Sequence, residues 1–480
     1  MLFNSISFAI FLPIVFLLHW FVAKRNLKYQ NLLLILASYF FYACWDWRFL
    51  FLLVFSTLLD YCAGFKIATV EDRKKKKFWL IVSVFINLGI LGILKYYNFF
   101  VASFANALLQ FGIKADIGSI NVILPVGISF YTFHGLSYVI DIYNGKIKHE
   151  HDFVNYSLFV SFFPLLVAGP IERATHLLPQ IVRKREFDYA KAVDGLRQIL
   201  WGLFKKIVIA DNCAQIANLI FNNSGQYSGS TIFVGAIFFS FQIYGDFSGY
   251  SDIALGTARL FGIELLRNFA FPYFSRDIAE FWRRWHISLS SWFRDYLYIP
   301  LGGSRGGLWM KIRNTMIIFL VSGLWHGANW TFIFWGFLNA LYILPIIILK
   351  KKKYDTDIVA KGKYLPSIKE LISIGGTFVL TVFAWIFFRA ENMTIAINCV
   401  SEIFSRTLFT IPELPRNTVN TAFFTCVLLF VEWFGREQPY AIAKLFPKRS
   451  RTLRYVIYYC IIIAIIEMGG QEQQFIYFQF

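Results

Sequence analysis

Apolar runs recur along the whole chain, from residue 6 to residue 466, and they constrain the fold more than any other feature. Of the 480 residues, 57% are hydrophobic and only 16% are charged. Soluble domains carry about 25% charged residues, and a helix needs about 20 apolar residues to cross a bilayer. The pattern predicts an all-α polytopic membrane protein, folded as a single integral-membrane domain over residues 1–480.

The net charge of +18 is distributed as in membrane proteins rather than as in nucleic-acid-binding proteins. Basic residues gather in short clusters between apolar segments, as in cytoplasmic loops that follow the positive-inside rule. The clusters lie at 24–25, 73–77, 183–185, 350–353 and 448–454. Segment 6–22 has neither the basic start nor the cleavage site of a secretory signal, so we expect a retained first span with the N-terminus outside.

The remaining apolar segments predict about ten to twelve spans, several of which are short for a bilayer. The segment 158–170, LFVSFFPLLVAGP, is interrupted by proline and glycine and is a candidate re-entrant segment. Irregular backbone at membrane depth is tolerated only where protein or a water-filled cavity covers it.

Two histidines lie in the apolar half of the chain, His286 in FWRRWHISLSSWFRDYLYIPLGG and His326 in VSGLWHGANWTFIFWG. Histidine exchanges protons near neutral pH, and an ionisable side chain at membrane depth usually faces a cavity or a pathway. Each histidine follows a tryptophan, Trp285 or Trp325. The pair predicts a reaction site buried in a membrane protein.

Apolar residues recur every three or four positions around His286, which predicts one amphipathic or re-entrant helix over 281–297. These residues are Trp282, Trp285, Leu289, Trp292 and Tyr296. His286 falls beside this face, near the predicted cytoplasmic interface. The alternative is a structural histidine that is bonded to a backbone carbonyl.

His326 lies between two long apolar runs and is flanked by Gly323 and Gly327, which permit a ligand or another backbone to approach closely. A neutral imidazole here can take a proton from a hydroxyl group as its oxygen attacks an acyl carbonyl. Asn329 is expected on the same helical face. It is a candidate oxyanion donor, together with a tryptophan N–H (Trp285 or Trp325) or His286.

Two aspartates, Asp246 and Asp252, lie in the motif YGDFSGYSDIALG. The simpler interpretation is a polar helix junction in which backbone N–H groups or an arginine such as Arg276 satisfy each carboxylate. A direct catalytic role is the alternative.

The other histidines carry less information. His134 is a third candidate inside an apolar segment, and His149, His151 and His176 are most simply solvated. The six cysteines form no C-x-x-C pair, and no spacing matches a zinc site, a phosphate-binding loop or a G-x-S-x-G elbow. We therefore expect no bound metal or cofactor and no covalent serine chemistry within the chain.

Several long motifs resemble those of the membrane-bound O-acyltransferases, and in particular the bacterial membrane subunits of alginate O-acetylation. They are the two histidine motifs, GISFYTFHGLSYVIDIY, LLLILASYFFYACWD, AWIFFRAEN and the closing FIYFQF, in order over nearly the whole chain. The resemblance implies a funnel-like bundle of about eleven transmembrane helices with short re-entrant helices, and a motif core near 240–340. It also implies that His326 is the essential histidine and that His286 occupies the more variable second position.

The resemblance implies O-acetylation of an extracytoplasmic polysaccharide such as alginate, by a multi-pass protein of the bacterial cytoplasmic membrane. The acyl donor is expected to be acetyl-CoA or another cytoplasmic acyl thioester. The expected partner is an exported or membrane-anchored protein with a serine nucleophile, since this chain shows no periplasmic hydrolase-like domain.

Three alternatives stay open at this stage. Two lie within the family, namely D-alanine transfer to teichoic acid and acetylation of peptidoglycan. The third is a transporter or flippase in which an intramembrane histidine relays protons. The absence of repeat symmetry and of paired broken helices counts against it.

Overall fold

The structure is a computed structural model that describes residues 1–23, 26–115, 118–120, 123–167, 169–349, 358–444, 451–470 and 473–476. Within these ranges the chain folds into α-helices joined by loops and by turns of π- and 3₁₀-helix, and no strand occurs. The all-α prediction is confirmed. The predicted cytoplasmic clusters at 24–25 and 350–353, and the first residues of the cluster at 448–454, lie outside the described residues.

The helices follow one another with short connections. The first ten are α1 (Ile6–Leu17), α2 (Leu27–Ala43), α3 (Arg48–Thr69), α4 (Arg73–Leu91), α5 (Tyr97–Gln110), α6 (Ile128–Tyr143), α7 (Phe153–Ser161), α8 (Phe163–Leu166), α9 (Ala174–Ile181) and α10 (Tyr189–Leu203). The next ten are α11 (Asp211–Asn222), α12 (Gly229–Leu260), α13 (Ile278–Arg284), α14 (Ile287–Phe293), α15 (Gly307–His326), α16 (Trp330–Ile348), α17 (Ile368–Arg389), α18 (Met393–Ile403), α19 (Thr418–Gly435) and α20 (Arg451–Met468).

Six helical segments of the described chain are long and apolar enough to cross a bilayer. They are Arg48–Thr69, Arg73–Gln110, Gly229–Leu260, Trp330–Ile348, Ile368–Arg389 and Thr418–Gly435. Ile6–Val22 and Met393–Ile403 are apolar but shorter. The protein is therefore a multi-pass membrane protein, while the number of about eleven spans and the funnel shape stay predictions.

The chain divides into two compact units. Unit 1 comprises Met1–Gly195 and Ala254–Leu266, and unit 2 comprises Leu196–Ile253 and Arg267–Phe480. Both predicted site histidines, His286 and His326, belong to unit 2. The assignment of residues 1–480 to a single domain stays a prediction.

In unit 1, a buried carboxylate joins three helices. Asp60 of α3 accepts hydrogen bonds from Ser83 Oγ at 2.7 Å and from Asn87 Nδ2 at 2.8 Å, both on α4. Helix α6 approaches at Gly135, where an added Cβ would overlap the Asp60 carboxylate. Buried polar groups need such partners, so this cluster fixes the register of α3, α4 and α6.

The interrupted segment 158–170 is also part of unit 1. It breaks between α7 and α8 at Phe162, whose ψ of 115° is not helical, and the Phe163 N–H is satisfied by Ser38 Oγ at 3.0 Å. Phe162 and Phe163 are fully buried, so protein covers the irregular backbone. The predicted interruption is confirmed, and a re-entrant path stays a prediction.

In unit 2, helices α15 and α16 form a closely packed hairpin. Gly323 of α15 lies against the carbonyl of Phe332, and Gly336 of α16 lies against the carbonyl of Phe319, so that a Cβ at either glycine would overlap backbone. Small residues let membrane helices approach in this way. The prediction that Gly323 admits another backbone is confirmed.

A buried ion cluster holds α12 in unit 2. Lys206 contacts Asp246 and Asp211, each at 2.8 Å, and Lys205 contacts Asp252 at 2.6 Å. Asp246 also accepts a hydrogen bond from the N–H of Ile476 at 2.6 Å. The predicted polar junction is thus built from lysines and one backbone N–H, which ties the end of the described chain to α12.

The prediction that Arg276 pairs with one of these aspartates is wrong. Arg276 Nε lies 3.0 Å from Glu280, one turn away on α13. A partner at i+4 on the same helix is reached without crossing to another element, so the local pair forms instead.

Candidate active site

His326 is the last residue of α15 and is buried. Its ring packs edge-on against Trp335 of α16 at 5.1 Å and against Phe388 of α17 at 5.3 Å between centroids. Gly327 ends the helix, and a Cβ there would overlap the ring of Phe332. The hairpin therefore holds the imidazole inside an aromatic wall.

His286 lies at a break in the chain rather than within a helix. α13 ends at Arg284 and α14 begins at Ile287, with His286 between them at φ 43° and ψ 55° in the left-handed region. Asn268 supports the break, because its carbonyl accepts the Ile287 N–H at 2.9 Å. The predicted continuous helix over 281–297 is wrong here, since a left-handed residue cannot continue a right-handed helix.

The break buries the His286 side chain. Only 1% of the residue is exposed, and its ring meets Phe247 edge-on at 4.6 Å. A neighbouring bond from Ser288 Oγ to Asn268 Oδ1, at 2.6 Å, anchors the first turn of α14. A side chain held this way presents one orientation of the imidazole.

Trp325 connects the two histidines. Its ring centroid lies 4.8 Å from His326 and 6.0 Å from His286, and the side chain is buried. The structure therefore brings His286, Trp325 and His326 into one constellation. The proposed role of Trp325 as an oxyanion donor stays a prediction.

A cavity of about 770 Å³ contains both histidines in its lining. Helices α13, α14, α15 and α16 form its walls, and three isoleucines of α16 (Ile343, Ile346 and Ile347) make one side apolar. Sites of this volume accommodate small-molecule ligands, with few polar groups placed to orient them. His286 and His326 are the groups in this wall best suited to proton transfer.

The cavity also has basic residues in its wall. Arg283, Arg294 and Lys311 line it, together with the histidines. Lys311 and His326 both belong to α15, and at 1.5 Å per residue they lie about 22 Å apart along the helix axis. The cavity thus extends from a basic region to the imidazole of His326.

Trp285 occupies a different place from the one that the sequence predicted. It does not line this cavity; instead its ring stacks on Phe281 at 5.5 Å and packs against Trp385 at 5.1 Å. The residue is 1% exposed and belongs to the aromatic core under α13. Its effect on the site is through packing that holds the helix break.

The prediction that Asn329 shares a helical face with His326 is wrong, because α15 ends at His326 and Asn329 caps α16. Its Oδ1 accepts the Thr331 N–H at 3.1 Å, and its Nδ2 donates to the Glu391 carbonyl at 2.7 Å. Helix capping is the ordinary use of asparagine at such a position. A role as an oxyanion donor stays a prediction, and both ends of this amide already have protein partners.

The other histidines lie in unit 1 and none lines the cavity. His134 Nε2 accepts the Glu172 N–H at 3.0 Å, which is a structural use of a buried ring. His176 Nδ1 lies 2.8 Å from the Glu172 carboxylate, and this contact raises the pKa of His176. His149 is buried against the Tyr138 hydroxyl at 2.8 Å, so the prediction that it is solvated is wrong.

The sequence argument missed the support for Trp282, which lines the cavity. Its indole N–H donates to Asn339 Oδ1 at 3.3 Å, and its ring meets Trp335 at 5.5 Å. Asn339 is buried, with Nδ2 donating to the Trp335 carbonyl at 2.8 Å. An amide within the otherwise apolar α16 is the signal that indicates such a residue, since buried polar groups in membrane helices find partners.

The described residues contain no group of three or more His, Cys, Asp or Glu side chains able to hold a metal ion. The chemistry of the constellation therefore depends on proton transfer by imidazole, on indole and guanidinium donors, and on exclusion of water by the aromatic wall. This set is suited to moving an acyl group between a thiol and a hydroxyl.

Comparison with known proteins agrees with this chemistry. The family model described as MBOAT, membrane-bound O-acyltransferase family, matches residues 143–351, which include both histidines. The probable alginate O-acetylase AlgI of Pseudomonas aeruginosa is 39% identical over 446 residues, covering 92% of this chain and 82% of the relative.

Two further relatives carry different names. The peptidoglycan O-acetyltransferase of Helicobacter pylori is 36% identical over 83% of this chain and 78% of its own length. The teichoic acid D-alanyltransferase of Bacillus subtilis is 30% identical over 56% of this chain and 70% of its own length. The chain belongs to the membrane-bound O-acyltransferase family.

Proposed function

We propose that this enzyme moves an acetyl group from a cytoplasmic thioester toward a polysaccharide outside the membrane. The observation that carries the proposal is the cavity in unit 2, whose wall contains both His286 and His326. The relatives named as alginate O-acetylases, with 36–39% identity over most of the chain, support acetyl as the group and a polysaccharide as the final acceptor.

His326 acts as the general base in this proposal. It takes the proton of an acceptor hydroxyl while that oxygen attacks the thioester carbonyl. The carbon–oxygen bond forms, the carbon–sulfur bond breaks, and His326 returns the proton to the departing thiolate. An ester and a free thiol are the products. Base catalysis of this kind contributes about 10²–10⁴-fold to the rate.

His286 and Trp325 act beside the reacting carbonyl. Their N–H groups are the donors proposed to stabilise the negative charge that develops on its oxygen. The ring contacts at 4.8 Å and 6.0 Å that join Trp325 to the two histidines support this arrangement.

The donor is proposed to enter from the cytoplasm as acetyl-CoA or another acyl thioester. The α16 end that follows the cavity's isoleucines leads directly into the basic cluster at 350–353, which the positive-inside rule assigns to the cytoplasm. The same rule supports an external N-terminus and, for a bacterial protein, the cytoplasmic membrane as its location.

The last transfer to the polymer is assigned to a separate exported protein with a serine nucleophile. A hydroxyl nucleophile next to a base forms covalent acyl intermediates, and such a carrier completes the path from membrane to polysaccharide. No residue of the described chain carries this part of the proposal; it follows from the family resemblance.

A second candidate stays within the same chemistry. The Helicobacter pylori relative, named as a peptidoglycan O-acetyltransferase, matches 83% of the chain and supports peptidoglycan as an alternative acceptor. The Bacillus subtilis relative, named as a teichoic acid D-alanyltransferase, matches a smaller share, 56%, and supports D-alanyl transfer less strongly.

The test is compositional. The gene is deleted, each envelope polymer is purified, and ester-linked acyl groups are released by mild base and quantified as acetate or D-alanine. We expect one polysaccharide to lose its acetate and to regain it when the wild-type gene is restored. Loss of D-alanine instead would replace acetyl by D-alanyl, and unchanged esters in every polymer would contradict the proposal.

A further inference from the structure

A second cavity, of about 460 Å³, lies in unit 2 and has an unusually basic wall. Four of its ten lining residues are arginines, and two are glutamates. The arginines are Arg267, Arg283, Arg284 and Arg436, and we call this space the arginine cavity. Its remaining lining is apolar or neutral. The formal charges of the wall therefore sum to a positive value.

The two carboxylates of the wall are already engaged by protein groups. Glu280 accepts from Arg284 at 2.8 Å and from Arg276, which stands outside the wall, at 3.0 Å. Glu437 accepts the Gly362 N–H at 2.7 Å. A carboxylate that serves two arginines cannot neutralise the others as well, so the cavity keeps an excess of positive charge.

The arginines are held in fixed positions. Arg436 donates to the carbonyls of Val359, Ala360 and Lys363 at 2.6–2.9 Å. Arg267 lays its guanidinium over the ring of Phe271 at 5.0 Å. A guanidinium stacked on a ring keeps its N–H donors in its own plane, and this pre-organised fork matches a phosphate group.

Arg283 connects the arginine cavity to the histidine-lined cavity, because it is part of both walls. An anionic group bound at the arginines therefore lies beside the space in which His286 and His326 are placed. A molecule with a phosphate at one end and a reactive group at the other fits this pair of cavities.

We propose that the arginine cavity binds the phosphate of the soluble acyl donor, and this inference rests on the proposed function. The arginines hold the charged end of the donor, while its thioester end occupies the histidine-lined cavity. The basic clusters at 350–353 and 448–454 lie close in sequence to its lining residues Ile358 and Pro439, which supports a cytoplasmic opening.

Binding to the purified full-length protein tests the inference without any transfer reaction. Coenzyme A and pantetheine, which lacks the phosphates, are titrated in a calorimeter against the wild-type protein. We expect coenzyme A to bind at least about tenfold more tightly, as one charge-assisted contact is sufficient to give this ratio. Equal affinities for the two probes would overturn the inference, and this comparison requires no variant.

The variant Arg267→Gln removes a guanidinium that lines only the arginine cavity. We expect its affinity for coenzyme A to fall about tenfold while its affinity for pantetheine stays unchanged. The matched control is Lys361→Gln, which removes a charge from an exposed residue near the same segment but outside both walls. Equal loss in both variants, or no loss in Arg267→Gln, would overturn the inference.

A lipid headgroup is the other source of phosphate at a membrane. Coenzyme A is therefore also titrated in the presence of vesicles of phosphatidylglycerol and, separately, of phosphatidylcholine. We expect neither to compete. Competition by phosphatidylglycerol that disappears in Arg267→Gln would assign the cavity to lipid and overturn the inference. Because these assays involve no transfer, failure of the proposed acylation is scored separately, by the envelope composition.

Discussion

The backbone at His286 is strained in a way that side-chain patterns do not reveal. A φ of 43° at a residue other than glycine costs about 1–3 kcal/mol and persists only where the surroundings enforce it. Hydrogen bonds to Asn268 and the edge contact with Phe247 enforce it here. Strain of this kind concentrates at functional sites, which supports a role for the imidazole.

The variants His286→Gly and His286→Asn separate the imidazole from the backbone conformation. Both new residues tolerate the left-handed region, so we expect melting temperatures at or above that of the wild type. We expect the ester content of the envelope polymer to fall roughly 100-fold, the lower end of acid–base effects. Wild-type ester levels with His286→Gly would mean that only the turn matters.

Residue patterns predicted the site histidines but not their immediate partners. His286 and His326 could be found because ionisable groups in apolar sequence are costly and therefore informative. The positions of Asn329 and Trp285 could not be predicted, because each depends on where a helix stops. α15 ends at His326 rather than continuing through Asn329, and α13 ends before Trp285.

At the scale of elements, the hairpin of α15 and α16 holds the catalytic constellation. The contact of Gly323 with the Phe332 carbonyl sets the distance between the helices, and His326 lies three residues beyond it. Any shift between these helices therefore moves the ring of His326 relative to Trp335.

The substitution Gly323→Ala tests this packing. An added methyl meets backbone that cannot move without separating the helices, so we expect a loss of about 1–3 kcal/mol in stability and reduced ester content. The matched control is Gly376→Ala in α17, where an added Cβ meets nothing within 4 Å. There we expect unchanged or slightly higher stability, since alanine favours helix.

Thermal unfolding of the two purified variants, followed by circular dichroism, provides the measurement. A Gly323→Ala protein that melts with the wild type would mean that the hairpin tolerates separation. In that case the close approach at Gly323 does not determine the position of His326.

Helix existence was easier to predict than helix continuity. Long apolar runs predicted the helices over Trp330–Ile348, Ile368–Arg389 and Thr418–Gly435 to within a few residues. The break at His286 was not predicted, because spacings of three and four continue across it and the interruption is enforced by residue 268, far from the pattern. Tertiary contacts override local periodicity at such places.

For the whole molecule, composition was sufficient to predict an all-α membrane protein, since few folds accept so little charge. Composition does not contain the two compact units or the buried ion cluster. Lys205 and Lys206 stand among apolar residues and look like a cytoplasmic boundary, yet the fold buries both against aspartates of α12. Burial of a charge is possible only where a partner is supplied, and the sequence does not reveal that partner.

The account as a whole depends on proton transfer by His326 in a cavity that joins a thioester to an acceptor. Arg267 and its neighbours explain binding of the donor, His286 and Trp325 support the carbonyl, and the hairpin positions the base. These parts lose their common purpose if His326 is dispensable.

The most direct measurement is therefore the ester content of the envelope polymer in a gene-deletion strain that produces either the wild-type protein or His326→Ala at equal abundance in the membrane. We predict that His326→Ala lowers the ester content by about 10²–10⁴-fold, to the level of the deletion strain, because no other group in the cavity replaces the base. Ester content equal to that of the wild type would contradict the account.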